Sequence, residues 1–411
     1  MSTGSILKRE GKRGVSWRLK WELPRDPSGK RAYGYKTVRC ATKKEAAAEL
    51  RKILSTIDSG SYVEPQKGTL GQWLEKWLTV YATPSVTVKT LEGYKFNVSH
   101  ITRHIGDVPI QKLTGLQIQE LYSKLRSEGR RSRWTKPDNE QQTRIGLHER
   151  TILHIHRVLN QALTEAVRKR LIERNPILDV KAPRPNAARA ADPSGDGEQI
   201  NALERDQLDN LLRGFYGDQM FPVVAIAAGT GMRLGEILAL RWSDIDNDKN
   251  TIRIERAIED TSTSGVRFKP TKNRSSKRTI GIDAGLAGLL RGCWKQQAEE
   301  ALKLGVRLST DALVFPHSSL LPTTPRRTRN VSKEFGRKAK KLGFSRFRFH
   351  DLRHTHATLL LTAGVPINAV AARLGHSTPV ITLTVYGHVL RRSEEQAVRV
   401  SGELLKNVLA G

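Results

Sequence analysis

The stretch FHDLRHTHATLLLTAG, residues 349 to 364, sets His350, Arg353 and His354 in the opening turns of what otherwise reads as an amphipathic helix. A helix N-terminus already carries partial positive charge, so cations there are misplaced unless an anion sits against them. A phosphate suits the position, because unbonded backbone N–H groups point toward it. Two rival readings stand beside that one: a zinc site from His350 and His354 at i, i+4, and a solvated helix start without chemistry.

Three further stretches carry groups of the same kind. AAGTGMRLGEILALRW puts Arg233 directly after two glycines at the start of an apolar helix, again at the wrong end of the dipole, with Glu236 one turn on to hold a guanidinium in a paired contact. KPTKNRSSKRTIGI gathers Lys269, Lys272, Arg274, Lys277 and Arg278 around a turn, from which one lysine could protonate a leaving oxygen while the rest are solvated. In RLGHSTPVITLTVYGH, Gly375 reads as the residue that ends a helix, holding His376 just past it, and Thr378 and Pro379 read as N-cap and first helical residue. Yet Ile381, Leu383 and Val385 alternate with Thr382, Thr384 and Tyr386, a period that favours a strand. One apparent site is a decoy. Asp244, Asp246, Asp248 and Glu255 match positions of a calcium loop, but Lys249 stands where its sharp turn demands glycine, so a hairpin rich in Asp and Asn accounts for them better.

The chain that positions these groups has 411 residues, with 70 Lys and Arg against 41 Asp and Glu, a formal charge of +29. Such an excess predicts a polyanionic partner, and with no apolar run of transmembrane length and no signal-peptide pattern, nucleic acid is favoured over a membrane. Cys40 and Cys293 are the only cysteines, which excludes a disulfide framework or a cysteine-rich zinc module and fits a reducing, intracellular compartment.

Residues 1–66 form a first unit. SILKRE, GVSWRLKWEL and RAYGYKTVRC are strands, the second with Val15, Trp17, Leu19, Trp21 and Leu23 on one face and Arg18 and Lys20 on the other. TKKEAAAELRKIL follows as a helix, capped by Thr42 and Glu45. Residues 67–180 read as all-helical, from the stripe Leu70, Trp73, Leu74, Trp77, Leu78 and Tyr81 through helices at 87–104, 115–127 and 149–172, interrupted by a polar insert near 129–145. Residues 181–199, rich in Pro, Ala and Gly, are a linker. Residues 200–411 are mostly helical, with TIRIERAI and SKRTIGID as strands and an amphipathic tail helix after Ser393. The fold class is therefore mainly α with small β-sheets, in three domains.

Taken together, TGMRLGEIL, TKNRSSKRTI, HDLRHTHAT and LGHSTPVITLTVYGH resemble, in order and spacing, the motifs of the tyrosine recombinase family, of the phage or conjugative-element integrase type. The first unit is similar to the arm-site DNA-binding domain of such integrases, on which Arg18 and Lys20 would contact DNA, and the second to their core-binding helical domain. The polar insert and the long linker depart from the pattern. The resemblance implies catalytic residues Arg233, Lys272, His350, Arg353, His376 and Tyr386, with Glu236 in support and no metal or other cofactor. It also makes the Tyr386 segment a short helix, and leaves His354 to packing or support. Zinc is disfavoured, since His350 and His354 lack further ligands nearby.

In that scheme Tyr386 attacks a DNA phosphate clamped by Arg233 and Arg353. His350 accepts the tyrosine proton, Lys272 protonates the 5' oxygen and His376 bonds the phosphate. The 3'-phosphotyrosyl product conserves the bond energy, so resealing needs no ATP. The implied activity is site-specific integration, and excision, of a phage or mobile-element genome. Its partners are double-stranded attachment sites, a homotetramer on DNA, and a directionality factor or host DNA-bending protein. Type IB topoisomerase chemistry, a noncatalytic DNA-binding regulator and a metal-dependent transposase are the alternatives.

Overall fold

The computed structural model describes residues 3–11, 14–23, 31–59, 62–128, 146–184, 201–270, 276–390, 398 and 401. The chain divides into two compact units, Met1–Gly195 and Asp196–Gly411. Among the described residues no helix is long and apolar enough to cross a membrane.

The first unit contains two cores. Strands β1 (Gly4–Gly11), β2 (Gly14–Leu23) and β3 (Ala32–Val38) pair antiparallel in that order, backed by α1 (Lys43–Asp58). The alternation of β2 decides its faces: Trp17, Leu19 and Trp21 are buried against Ala46 and Leu50 of α1. Truncating Leu19, which is wholly buried, would cost about 2–5 kcal/mol. Thr42 caps α1 by accepting from the Glu45 amide, while the Glu45 carboxylate reaches past it to the Ala41 N–H. Arg18 and Lys20 lie on the open face.

The second core belongs to α2 (Leu70–Lys76), α3 (Val88–Ile105), α4 (Gly115–Glu128) and α5 (Glu149–Arg168). Thr69 and Gln72 form a full capping box at the start of α2. The apolar stripe read from 70 to 81 is helical throughout, but over Trp77–Ala82 it widens into a π-helical turn in which Trp77 stacks on Tyr94 at 5.7 Å. The last helix ends at Arg168 rather than 172, because Arg170 takes a positive φ of 54°. The polar insert and most of the expected linker lie outside the described residues.

The second unit opens with α6 (Arg205–Phe215), α7 (Phe221–Thr230) and α8 (Leu234–Ile237). Strands β4 (Ile245–Asp246), β5 (Thr251–Ile254), β6 (Arg256–Thr261), β7 (Gly265–Pro270) and β8 (Arg278–Gly281) follow. They make a β4-β5-β8 sheet and a separate β6–β7 hairpin that the sequence reading lacked. The acidic decoy is the β4–β5 hairpin, with Asn250 in the left-handed region at φ 49° and Asp244 buried against Arg256 at 2.5 Å. Next come α9 (Ala284–Lys303), the hairpin β9 (Pro316–Ser318) and β10 (Leu321–Pro325), and α10 (Thr328–Lys341). The chain then runs through α11 (Asp351–Thr362), α12 (Ile367–Leu374) and α13 (Pro379–Leu390). One large core spans Leu203 to Leu352, and a smaller one joins Ala357, Leu361, Val370, Leu374 and Tyr386. The expected tail helix falls outside the described residues, save Val398 and Ser401.

Candidate active site

Two left-handed glycines set the site's frame. Gly231 (φ 66°) ends α7 and turns the chain into Arg233, the residue that precedes α8. Gly375 (φ 68°) ends α12 and releases His376. A methyl group on either would also intrude, within 2.7 Å of the His356 ring at Gly231 and 2.8 Å of the Arg278 guanidinium at Gly375. Both the backbone angle and the crowding require glycine.

Arg353, in the first turn of α11, is only 3% exposed. Its Nη1 donates to the Gly231 carbonyl at 2.8 Å and its Nη2 to the Leu374 carbonyl at 2.7 Å, so the ends of α7 and α12 aim it. Burial, and then the like charge of Arg233, push its pKa down to about 9. A guanidinium so short of counter-charge is primed for an anion.

Glu236 is the buried carboxylate of this cluster, 3% exposed. It was expected to pair with Arg233, and it does, through Nη1 at 2.9 Å and the Arg233 amide at 3.0 Å. Its two-pronged partner is a different residue, Arg278 of β8, through Nη2 at 2.9 Å and Nη1 at 3.4 Å. Burial opposes its ionisation, but Arg278 and Arg233 together hold its pKa below the ordinary carboxylate range. Arg278 also donates from Nε to the Arg373 carbonyl at 2.7 Å. The Arg373 side chain in turn reaches the carbonyls of Gly281 and Gly229 and Nε2 of His356. Sequence reasoning had left Arg278 among solvated charges. The signal was the alternation of RTIG, which puts Arg278 on the same face as buried Ile280.

Tyr386 sits on α13, whose Pro379 start and helical pairing replace the strand that alternation suggested and match what the family resemblance implied. As a helix, α13 turns Thr382 and Tyr386 inward, one turn apart, and leaves Val380, Ile381 and Leu383 exposed. Packing against α11 and α12 overrides the β-branched propensity. Tyr386 is 1% exposed, and burial, opposed by Arg353, raises its pKa to about 12. Its hydroxyl lies 2.9 Å from Nδ1 of His354, the histidine expected only to pack or support. The motif resemblance singled out His350, but it is His354, one turn further into α11, that meets the phenol.

His350 stands immediately before α11, its ring edge-on to that of His354 with centroids 5.0 Å apart. Surrounding protein desolvates it and His354 and Arg353 repel its proton, bringing its pKa to about 4 although part of the ring meets solvent. The His376 Nδ1 lies 2.7 Å from the buried Thr382 hydroxyl, and burial, with Arg353 and Arg233, lowers its pKa to about 4 as well. In the tautomer whose Nδ1 accepts from the Thr382 hydroxyl, Nε2 carries the proton and can donate to an anion. Arg233, His350, Arg353, His376 and Tyr386 thus converge within reach of one another's charge. Lys272 lies outside the described residues. Among those described, no group of three or more His, Cys, Asp and Glu side chains could hold a metal ion.

In the first unit, Arg18 lies over the Tyr35 ring at 4.5 Å and Lys20 over the Tyr33 ring at 3.9 Å. Each cation of β2 is thereby steadied on an exposed tyrosine of β3.

The chain is similar to known proteins over most of its length. Residues 203–392 match the "Phage integrase family" and residues 69–126 the "Phage integrase, N-terminal SAM-like domain". The chain is 28% identical to a tyrosine recombinase XerC-like protein of Caldanaerobacter subterraneus subsp. tengcongensis, over 88% of this chain and 90% of that one. Among solved structures it is similar to the Tn1549 transposon integrase in complex with a circular intermediate DNA. There the TM-score is 0.61 at 20% identity, covering 80% of this chain and 99% of that one. A lambda integrase tetramer bound to a Holliday junction matches with a TM-score of 0.51 at 21% identity, over 88% and 89% of the two chains.

Proposed function

The chain belongs to the tyrosine recombinase family, in its phage-integrase branch, and from that premise we propose that Arg233, Lys272, His350, Arg353, His376 and Tyr386 carry its reaction, with Glu236 in support. The enzyme breaks and rejoins DNA, and its function is site-specific recombination of mobile elements. Double-stranded DNA is the substrate, for which the excess of 70 basic over 41 acidic residues supplies the attraction. Relatives named as integrases and recombinases leave the topoisomerase and regulator alternatives unfavoured.

The observation that carries the site assignment is a buried, under-neutralised Arg353 beside Arg233, facing a phenol that cannot ionise unaided. Arg233 and Arg353 clamp the scissile phosphate and offset charge as it develops on the nonbridging oxygens. Glu236 and Arg278 fix the Arg233 end of that clamp. His350 and His376, neutral near pH 7, serve as hydrogen-bonding groups rather than fixed charges. The Tyr386 oxygen attacks phosphorus as its proton passes to a neighbouring histidine, the bond to the 5' oxygen breaks, and Lys272 supplies that oxygen's proton. The 3'-phosphotyrosyl link is then reversed by a 5' hydroxyl from another strand, so no external energy is consumed.

The finer organisation belongs to the same proposal. Residues 1–66 form an arm-site DNA-binding domain in which Arg18 and Lys20 contact DNA, residues 67–180 a core-binding domain, 181–199 a linker, and 200–411 the catalytic domain. Four copies act together on a four-way junction, the assembly in which the lambda relative was solved, with a directionality factor or DNA-bending protein as accessory. The decisive experiment uses nicked attachment-site DNA that traps covalent protein. Tyr386→Phe is expected to bind this DNA as the parent does and to form no adduct. An adduct surviving in that variant overturns the nucleophile assignment.

A further inference from the structure

We infer that His354 is a catalytic residue, the group whose Nδ1 takes the proton of the Tyr386 hydroxyl as that oxygen attacks DNA. The inference rests on the reading of Tyr386 as nucleophile and displaces His350 from the proton-acceptor role the sequence suggested.

Three observations carry it. First, the Tyr386 hydroxyl lies 2.9 Å from Nδ1 of His354, within the reach proton transfer requires. Second, the other histidines are committed elsewhere. His376 turns Nδ1 to Thr382 at 2.7 Å, and His356 turns Nδ1 to the Ala228 carbonyl and Nε2 to Arg373. His350 meets the His354 ring edge-on rather than the phenol. Third, the hydroxyl is enclosed: Tyr386 is 1% exposed, so bulk water does not serve as its base.

The atoms balance without a further reagent. The proton leaves Tyr386 for His354, the phenolic oxygen bonds phosphorus, and the phosphorus bond to the 5' oxygen breaks as that oxygen gains a proton from the acid on its own side. On resealing, a 5' hydroxyl attacks, the tyrosyl oxygen departs and His354 returns its proton. The groups packed against His354 are His350 just ahead of α11, His376 after α12 and Tyr386 of α13, with the guanidiniums of Arg353 and Arg233 charging the same pocket.

The test follows single-turnover adduct formation on nicked attachment-site DNA by full-length protein, with DNA binding and thermal unfolding measured alongside. His354→Asn places an amide oxygen near the position of Nδ1 and preserves a hydrogen bond but cannot take the proton; His354→Ala removes both. We expect both to bind DNA normally and to form adduct about 10²–10⁴-fold more slowly. The Asn variant's rate should climb about tenfold per pH unit from pH 7 to 9, as ionisation of Tyr386 ahead of attack takes the place of the lost base, where the parent's does not. DNA carrying sulfur in place of the 5' bridging oxygen needs no acid for its leaving group, and should leave the loss uncorrected. A parental rate with Asn, or restoration by the sulfur substrate, overturns the inference. Tyr386→Phe run in parallel keeps the two readings apart: an adduct there defeats the nucleophile itself, whereas parental rates in the His354 variants with none in Tyr386→Phe defeat only the base.

Discussion

Replacing Glu236 with Gln tests the proposition that the arginine clamp stands on one buried carboxylate. Glu236 faces Arg278, whose side chain is 7% exposed, and Arg233, whose side chain is 40% exposed. Unit charges about 4 Å apart at an effective dielectric near 20 attract by about 4 kcal/mol, which sets the scale for the buried Arg278 pair. The Arg233 pair, screened by solvent, adds about 0–1 kcal/mol. The amide keeps one acceptor but turns a donor toward a guanidinium, so the loss should be about 3–5 kcal/mol, as when one partner of a buried ion pair is removed. Against a typical stability of about 5–15 kcal/mol this is severe. With a urea slope of about 2 kcal/mol per molar, the midpoint for the catalytic unit should fall by about 1.5–2.5 M at pH 7. Hydrogen exchange of peptides from α8 and β8 across a urea series isolates that unit from the others. The pH dependence follows from the direction of the shift. Because folding lowers the Glu236 pKa, its contribution is complete above the unfolded carboxylate value and is lost as pH falls through the folded one. The difference between parent and variant should therefore shrink below about pH 4. A Gln variant whose midpoint stays within about 0.25 M of the parent's at pH 7, equivalent to about 0.5 kcal/mol at that slope, would refute this account of the clamp.

Gly375→Ala should cost about 1–2 kcal/mol from its left-handed backbone and also drive the Arg278 guanidinium, 2.8 Å from the new methyl, off Glu236. Adduct formation is expected to fall while DNA binding persists, and calorimetry with a gel assay checks both; an unchanged cleavage rate would show that Arg278 need not hold its place. His350, His356 and His376, all brought to about pKa 4, should remain neutral from pH 6 to 8 in their imidazole resonances. Since the unfolded chain binds protons near pH 6.5 while the folded one resists, stability should rise with pH between about 4 and 6.5 and flatten above. For buried His356 alone the span is on the order of 3 kcal/mol; a histidine titrating near 6.5 in the folded protein would contradict it.

What the sequence determined by itself was the list of reactive groups and much of the local structure. The alternation of Trp17, Leu19 and Trp21 determined a strand with one buried face, and Thr69 with Gln72 determined a helix start. Gly231 and Gly375 marked the chain reversals beside Arg233 and His376, because backbone angle is a local property that residue type controls. Even the misleading LTVY alternation is local information, outweighed once α13 packs on α11 and α12.

Tertiary structure alone decided which reactive groups work on one another. Arg278 is separated by 42 residues from Glu236 in the chain, and only the pairing of β8 with β5 delivers its guanidinium to that carboxylate. His350 and His354 are equivalent by composition and by helical spacing. Their difference arises from position along the axis: His350 stands just ahead of α11, whereas His354, one turn in, meets the Tyr386 hydroxyl of α13. The perturbed acidities are likewise invisible to sequence, since they come from burial and from charges gathered out of distant segments. Hydrogen bonds act over about 3 Å, and no spacing rule reports a distance that folding has yet to create.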